Sequence, residues 1–495
     1  MKPMQVEHPS LKPFEPLLWE CSQIAHTTGL AALSNVGLAL ADIEHSPAAH
    51  RRFLRGCHYG YDRAQRLVGE EVIALELKSR DAQARLKELR HAHDPQYRDF
   101  IELIRVLQHR QLVLRRLIDS ILFPMLVPDE WVLRHFRLSD DIHPIDPVVL
   151  RKTIDIATER NREERLRFSI VSDLTTAVQI GDLIEIDRSS LTGRSWRIVE
   201  LKSGKVNEIL SSLIEERQGA VSDDDRETLR NSLGPKAVKQ VNRMLTQQSR
   251  QKNLETLVET DQGVSPRFGM HTQVFPEIVE VDDYAIALDS VCDQARKSGV
   301  GGARISGCLS LFAVSAEKLA RTDFGAVKHS LFHLSNPSRT CQLHEKEAAR
   351  DELAAVSKLR PVFDLVQVSL HSMEGRPVFL WAQEARAMDL VMGRTRLFAH
   401  FDFDAFFGLA ADQGVRLTWI TSPPRGELVK LAAQIPGGPP GAWGVRATLA
   451  GGEEQTLLSG FFGRVIVSLT TPKELISLIK RGPMQAARIG GSVTP

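Results

Sequence analysis

The sequence predicts a mixed α/β protein in three parts: a helical region over 1–145, a central α/β domain over 146–265 and an α+β region over 266–495. Three observations predict it. Residues 15–136 carry helical periodicity with few β-branched runs. Two short pieces rich in Ile and Val, 178–187 and 196–202, flank a stretch of turn composition. From residue 284 onward, helical stretches alternate with short β-like ones. A chain of 495 residues has room for several domains at ~100–200 residues each.

The elements follow in order. In 97–123, Phe100, Ile101, Ile104, Leu107, Leu112, Leu114 and Leu117 supply apolar faces, and Pro124 and Pro128 are expected to end the helix. The polar segment 140–147 (DDIHPIDP) then leads into a helix over 148–164. Residues 188–194 (RSSLTGR) join the two Ile/Val-rich strands as a hairpin. Helices are expected over 206–217, 235–259, 285–297 and 345–358, and β-like pieces over 307–314, 363–371, 377–381, 416–420 and 465–469. Residues 422–443 include a Pro/Gly-rich loop, and no internal repeat is apparent.

Composition narrows the class. With 42% hydrophobic and 25% charged residues the chain reads as an ordinary globular protein, which excludes wholesale disorder and fibrous classes. Cys21, Cys57, Cys292, Cys308 and Cys341 are sparse and include no C-x-x-C pair, as expected of a reducing compartment. No stretch reaches the ~18 apolar residues of a membrane span. The N-terminal residues also lack a secretory pattern, so a cytoplasmic protein without a membrane partner is expected. The net charge of +1 conceals local surpluses: residues 51–116 hold 15 Lys/Arg against nine Asp/Glu, and residues 236–252 hold five Lys/Arg and no acid.

The chemistry concentrates in 179–207, QIGDLIEIDRSSLTGRSWRIVELKSGKVN. Within a strand, Glu200 and Lys202 share a face, and an antiparallel register with an even residue sum places Asp182 on that face too. Two carboxylates beside an ammonium are costly among Leu183, Ile184, Ile186, Ile198, Val199 and Leu201, because partly buried like charges repel and lose solvation. A divalent cation reverses that cost, and Mg²⁺ favours one or two carboxylates completed by water and phosphate oxygens.

Gly181-Asp182 followed by Glu200-Leu201-Lys202 resembles the motif of the PD-(D/E)XK nuclease superfamily, over about residues 148–262. Ser172-Asp173-Leu174-Thr175-Thr176 shortly before Ile180-Gly181-Asp182 also looks like a form seen in uncharacterised bacterial nuclease-like proteins. The resemblance implies a restriction-endonuclease-like mixed sheet flanked by helices. It also implies Mg²⁺- or Mn²⁺-dependent hydrolysis of phosphodiesters, DNA favoured, in a bacterial setting such as antiviral defence. Asp182 and Glu200 would ligate the metal and Lys202 would act on the attacking water or the transition state. A Glu of the preceding helix often completes such sites; Glu159, Glu163 and Glu164 qualify, and Glu159 is preferred. The following helix often grips phosphate. There Lys236, Gln240, Arg243, Gln247 and Arg250 recur at helical spacing opposite a stripe of Ala237, Val241, Met244 and Leu245. Gln240 is taken as a further site residue, and Arg243, Lys236 and Arg250 as substrate contacts; a solvated polar face explains the same spacing equally well. The rival function is a nuclease fold that has lost catalysis and serves binding or assembly.

Other patterns are weaker. His329, His333, Cys341 and His344 allow a zinc site but miss H-E-x-x-H, since Ser330 stands at the Glu position. Gly299, Gly301 and Gly302 match no complete phosphate loop, and Asp402 and Asp404 in FDFDAFFG read as packing residues at a strand or a turn into a helix. Arg105, Arg110, Arg115 and Arg116, and the five arginines of 51–66, are candidates for a nucleic-acid surface or for an interface with a second copy or companion protein; a solvated helical face is the ordinary alternative.

Overall fold

The computed structural model describes residues 14–126, 133–136, 145–163, 166–187, 196–201, 205–217, 220–260, 262–266, 269, 271–273, 282–320, 362–371, 375–423, 434–435 and 438–489. The chain forms two compact units, one of Leu17–Pro276 and one of Met1–Pro16 with Glu277–Pro495. The residues read from sequence as 1–145 and 146–265 belong to the first of these units apart from Met1–Pro16, and the change of unit at 276/277 lies eleven residues beyond the expected 265/266. The fold is mixed α and β, with a long helical region at its start.

The first unit begins with α1 (Glu15–Ser34), α2 (Asp42–His45), α3 (Pro47–His91), α4 (Tyr97–Met125), α5 (Leu133–Phe136) and α6 (Pro147–Glu163). Ser46 caps α3 by accepting from the Ala49 amide, with Pro47 at the first helical position. Pro124 does not stop α4 but sits in its last turn, where a missing donor costs one bond, and the Leu126 amide closes onto Leu122 and Phe123. In α6, Leu150, Thr153, Ile154, Ala157 and Thr158 form the buried stripe.

Strands β1 (Arg167–Val171), β2 (Leu183–Asp187) and β3 (Trp196–Val199) then form an antiparallel sheet in chain order. Every strand pair among the described residues is antiparallel, so the parallel partner of the expected mixed sheet is not among them. Alternation separates two faces. Phe168, Ile170, Ile184, Ile186, Trp196 and Ile198 share one, where Phe168 meets His58 and Tyr61 of α3 and Trp196 meets Phe136 of α5. Ser169, Glu185 and Arg197 share the other, where Arg160 of α6 and Arg197 both pair with the buried Glu185. Burial pushes the Glu185 carboxyl up, but hydrogen bonds from Arg197 and Arg160 outweigh it and hold the group below the ordinary glutamate value.

The free edge of β1 is closed by side chains rather than by another strand. Gln65 donates to Ser169 O and accepts from the Val171 amide, while Asn161 donates to Ser169 O and accepts from the Ser169 amide. These bonds occupy backbone groups that would otherwise invite edge pairing. After the sheet come α7 (Lys205–Glu216), α8 (Asp223–Leu233), α9 (Pro235–Thr260), β4 (Gln262–Val264) and β5 (His271–Gln273). The acidic run Asp223–Asp225 opens α8 through a capping box between Ser222 and Asp225. Leu210, Ile214, Val221, Leu229, Val241 and Met244 join α7, α8 and α9 in one core cluster.

The second unit holds α10 (Ala285–Ser298) and a four-stranded sheet, β6 (Val300–Ile305), β7 (Leu309–Ser315), β9 (Thr395–Phe401) and β8 (Val362–Asp364), followed by a three-stranded one of Val415–Ile420, Gly444–Leu449 and Glu454–Leu458. Three expected β-like pieces are corrected. Leu365–His371, Val378–Trp381 and Ser459–Val467 are helices, because short apolar runs carry no usable period and their tertiary surroundings decide. Asp402 caps the helix Phe403–Asp412 by accepting from the Ala405 amide. Gly301 lets β6 pass close to α10, since a Cβ there would lie 2.1 Å from Val291 O. Cys21, Cys57, Cys292 and Cys308 are free and buried. Among the described residues no helix is long and apolar enough to cross a membrane.

Candidate functional site

The site is built where β2 begins and β3 ends. The ladder ends at the pair Leu183 and Val199, so the residue sum is even, and Asp182 and Glu200 are the residues just outside it on the two strands. Gly181 precedes Asp182 with a positive φ of 75° and lies against β3: an added Cβ would sit 2.2 Å from Ile198 Cγ2. The Asp182 amide donates to Val199 O at 2.9 Å, and its carboxylate Oδ2 accepts from the Leu201 amide at 2.5 Å. The aspartate is thereby fastened to the middle residue of Glu200-Leu201-Lys202. Glu200 is half-buried beside it; Lys202 lies outside the described residues, as do Glu164 and the hairpin residues 188–194.

Among the described residues, three groups act on the Asp182 carboxyl besides its burial. Burial pushes it above the ordinary aspartate value, the Leu201 amide opposes that, Asp173 adds to it and Arg243 opposes it. Asp173 belongs to the short 3₁₀ turn Ser172–Leu174 between β1 and β2. The Ser172 amide donates to Asp182 O at 2.9 Å, so turn and strand end are adjacent. The charge of Arg243 acts on Asp182 from α9, whose Ala237, Val241 and Met244 are buried while Lys236 and Arg243 are exposed.

Other expected residues stand elsewhere. Gln240 donates to Asn207 Oδ1 at 3.3 Å, tying α9 to α7. Arg250 is half-buried on α9, and Glu159 is exposed on α6, which meets the sheet through its neighbour Arg160. The zinc candidates His329, His333, Cys341 and His344 lie outside the described residues.

Arg115 and Arg116 require a correction. They do not form a surface: they are 4% and 0% exposed. Arg115 donates from Nε and Nη2 to Thr175 O at 2.9 and 2.6 Å. Arg116 pairs with the fully buried Asp119 at 2.8 Å, and Asp119 accepts from the amides of Thr176 and Ala177 and from the Thr176 hydroxyl. Burial works against both guanidinium charges, and Asp119 supports both, with Asp173 adding to its support of Arg115. Helix α4 thus clamps the loop that carries Asp173. A signal for this stood in the sequence: Arg116 and Asp119 are three apart in the second half of α4, where Leu112, Leu114, Leu117, Ile118, Ile121 and Leu122 make nearly every side apolar. Among the five arginines of 51–66, Arg63 pairs with Glu20, Arg66 with Asp62, and Arg52 donates to Ala32 O.

Among the described residues no group of three or more His, Cys, Asp and Glu is gathered to hold a metal ion. Comparison with family models, with curated proteins and with solved structures finds no match for this chain.

Proposed function

We propose that the Leu17–Pro276 unit is a metal-dependent nuclease of the PD-(D/E)XK kind that hydrolyses phosphodiester bonds, most naturally as an endonuclease on DNA. The observation that carries this reading is the bond from the Leu201 amide to the Asp182 carboxylate, which joins the aspartate at the head of β2 to the Glu-Leu-Lys segment after β3. The order α6, β1, β2, β3, α7 supports it, since the family's core runs helix, three strands, helix.

The donor set fits a hard divalent cation. Asp182 and Asp173 repel each other in a half-buried setting, and Mg²⁺ or Mn²⁺ needs only one or two carboxylates with water and phosphate oxygens. Such an ion would supply charge neutralisation at the scissile phosphate and a more acidic water. The chain's own residues do the rest. Asp182 and Glu200 hold the ion, Lys202 stabilises charge building on the phosphate, and Arg243, with Lys236 and Arg250 along the same helix, steers the polyanion toward the strand ends.

The test is cleavage of plasmid and linear DNA by the full chain with Mg²⁺ or Mn²⁺. The parent is expected to cut, and Lys202→Ala to lose at least ~100-fold in rate, as removal of a charge-stabilising donor does. A parent that binds DNA but never cuts, or a Lys202→Ala variant that cuts equally well, would replace this reading with that of a fold kept for binding.

A further inference from the structure

One buried carboxylate of the first unit answers two arginines. Glu185 stands at the middle of β2 on the face that meets α6. Its Oε1 accepts from Arg160 Nη1 of α6, and its Oε2 accepts from Arg197 Nε and Nη2 of β3 at 2.6 and 2.5 Å. Elsewhere on α6 the count is one to one, since Arg151 meets both carboxylate oxygens of Glu70 at 2.8 Å. The bonds from Arg197 and Arg160 hold Glu185 below the ordinary glutamate value, so it is ionised at neutral pH. Two guanidiniums on one carboxylate leave one positive charge uncompensated.

The charges are also sorted by depth. The Glu185 side chain is 3% exposed, whereas those of Arg160 and Arg197 are 37% and 61% exposed. Among the described residues, Arg160 Nε and Nη2 and Arg197 Nη1 have no partner, so both forks keep donors to spend. A buried carboxylate that sets two planar guanidiniums side by side prepares them for a second anion, and a phosphate matches their geometry. The pair is continuous with the basic helix. Gln251 of α9 donates to Ile198 O at 3.3 Å, one residue from Arg197, and Lys252 beside it is exposed. Glu185 lies three residues from Asp182 along β2, about 10 Å at the rise of a strand. A nucleic-acid strand crosses that distance within a few phosphates.

We propose that Arg160 and Arg197, set by Glu185, grip a backbone phosphate of a bound nucleic acid, so that the polyanion runs from the head of β2 over the α6 face of the sheet. The choice of nucleic acid as partner rests on the nuclease reading above; the grip itself needs neither metal nor cleavage.

The experiment is binding of a labelled mixed-sequence DNA duplex to the full chain, read by fluorescence anisotropy with chelator present over a series of KCl concentrations. Arg160→Ala and Arg197→Ala are each expected to weaken binding severalfold. Together they should flatten the plot of log affinity against log salt by about 0.9, the counterion release of one phosphate. Alanine at both positions strands a buried carboxylate, so the pair is also removed in a Glu185→Gln background, where no buried charge is left. Glu185→Gln alone should bind at least as tightly as the parent, and Glu185→Gln with both alanines should fold and still show the flatter slope. Arg151→Ala, whose arginine is answered by Glu70, should keep the parent's slope. A parental slope in the folded triple variant would mean that the arginines serve only Glu185; the grip is then overturned, while the nuclease reading, tested by cleavage, stands. An equal flattening in Arg151→Ala would also overturn it, in favour of a diffuse field. A parent that binds no DNA with or without Mg²⁺ would end both readings.

Discussion

Two clusters of charge lie at either end of the segment from Thr175 to Asp182, and they are built on opposite terms. At one end the Arg116–Asp119 pair is wholly buried, and the pair spends itself on Thr176 and Ala177. At the other, Asp173 adds its like charge to that of Asp182, with the Leu201 amide on the Asp182 carboxylate and, among the described residues, the charge of the exposed Arg243 opposing it from α9. The first cluster is costly to make, and it fixes one arrangement of the loop. In the second, burial and the like charge of Asp173 outweigh the Leu201 amide and Arg243, so the Asp182 carboxyl is held above its ordinary value, as is common where a cation or a substrate is bound.

Substitutions sharpen that contrast. The largest loss is expected for Asp119→Ala, which strands Arg116 and two amides in the interior. Breaking one side of such a pair costs about 3–5 kcal/mol, readable as a lowered urea midpoint for the first unit. A loss under about 1 kcal/mol would mean the clamp is not structural. Gly181→Ala comes next: a positive φ and a Cβ 2.2 Å from Ile198 Cγ2 should cost roughly 1–3 kcal/mol and shift the Asp182 amide from Val199. Wild-type stability there would place the strand end elsewhere.

The third effect depends on pH. The folded Asp182 carboxyl holds its proton above its ordinary value of 3.8, so the unfolded chain releases that proton first and stability falls as pH rises from near 3.8 through the raised folded value. Measured with chelator present, Asp182→Asn should therefore melt slightly higher than the parent at pH 7, and the difference should vanish well below pH 3.8. A variant less stable at pH 7 would contradict the assigned burial cost. The smallest effect is expected at Arg105, exposed on the same helix as the clamp: Arg105→Ala should change stability by less than about 0.5 kcal/mol.

Much of the frame was legible. Helices α4 and α6 came from long periodic runs, and the even residue sum expected for the two neighbouring strands is the one their ladder has. Charge was not so legible. Arg115 and Arg116 read as a surface because arginine is seldom buried, and their partners, Thr175 O for Arg115 and Asp119 for Arg116, are set by a loop about sixty residues away in sequence. Asp173 was visible only as part of a turn wording, since what makes it matter is a backbone bond between Ser172 and Asp182 that no local pattern announces. The edge closure by Gln65 and Asn161 is likewise a meeting of distant residues.

The measurement that tests the central claim most directly pairs Mn²⁺-supported cleavage of linear DNA with thermal unfolding for Asp182→Asn and Asp119→Asn. The account predicts that Asp182→Asn melts no lower than the parent with chelator present and loses cleavage with Mn²⁺, whereas Asp119→Asn loses stability first and cleavage only in proportion to the unfolded fraction. Cleavage by Asp182→Asn at the parent's rate, at equal stability, would contradict it.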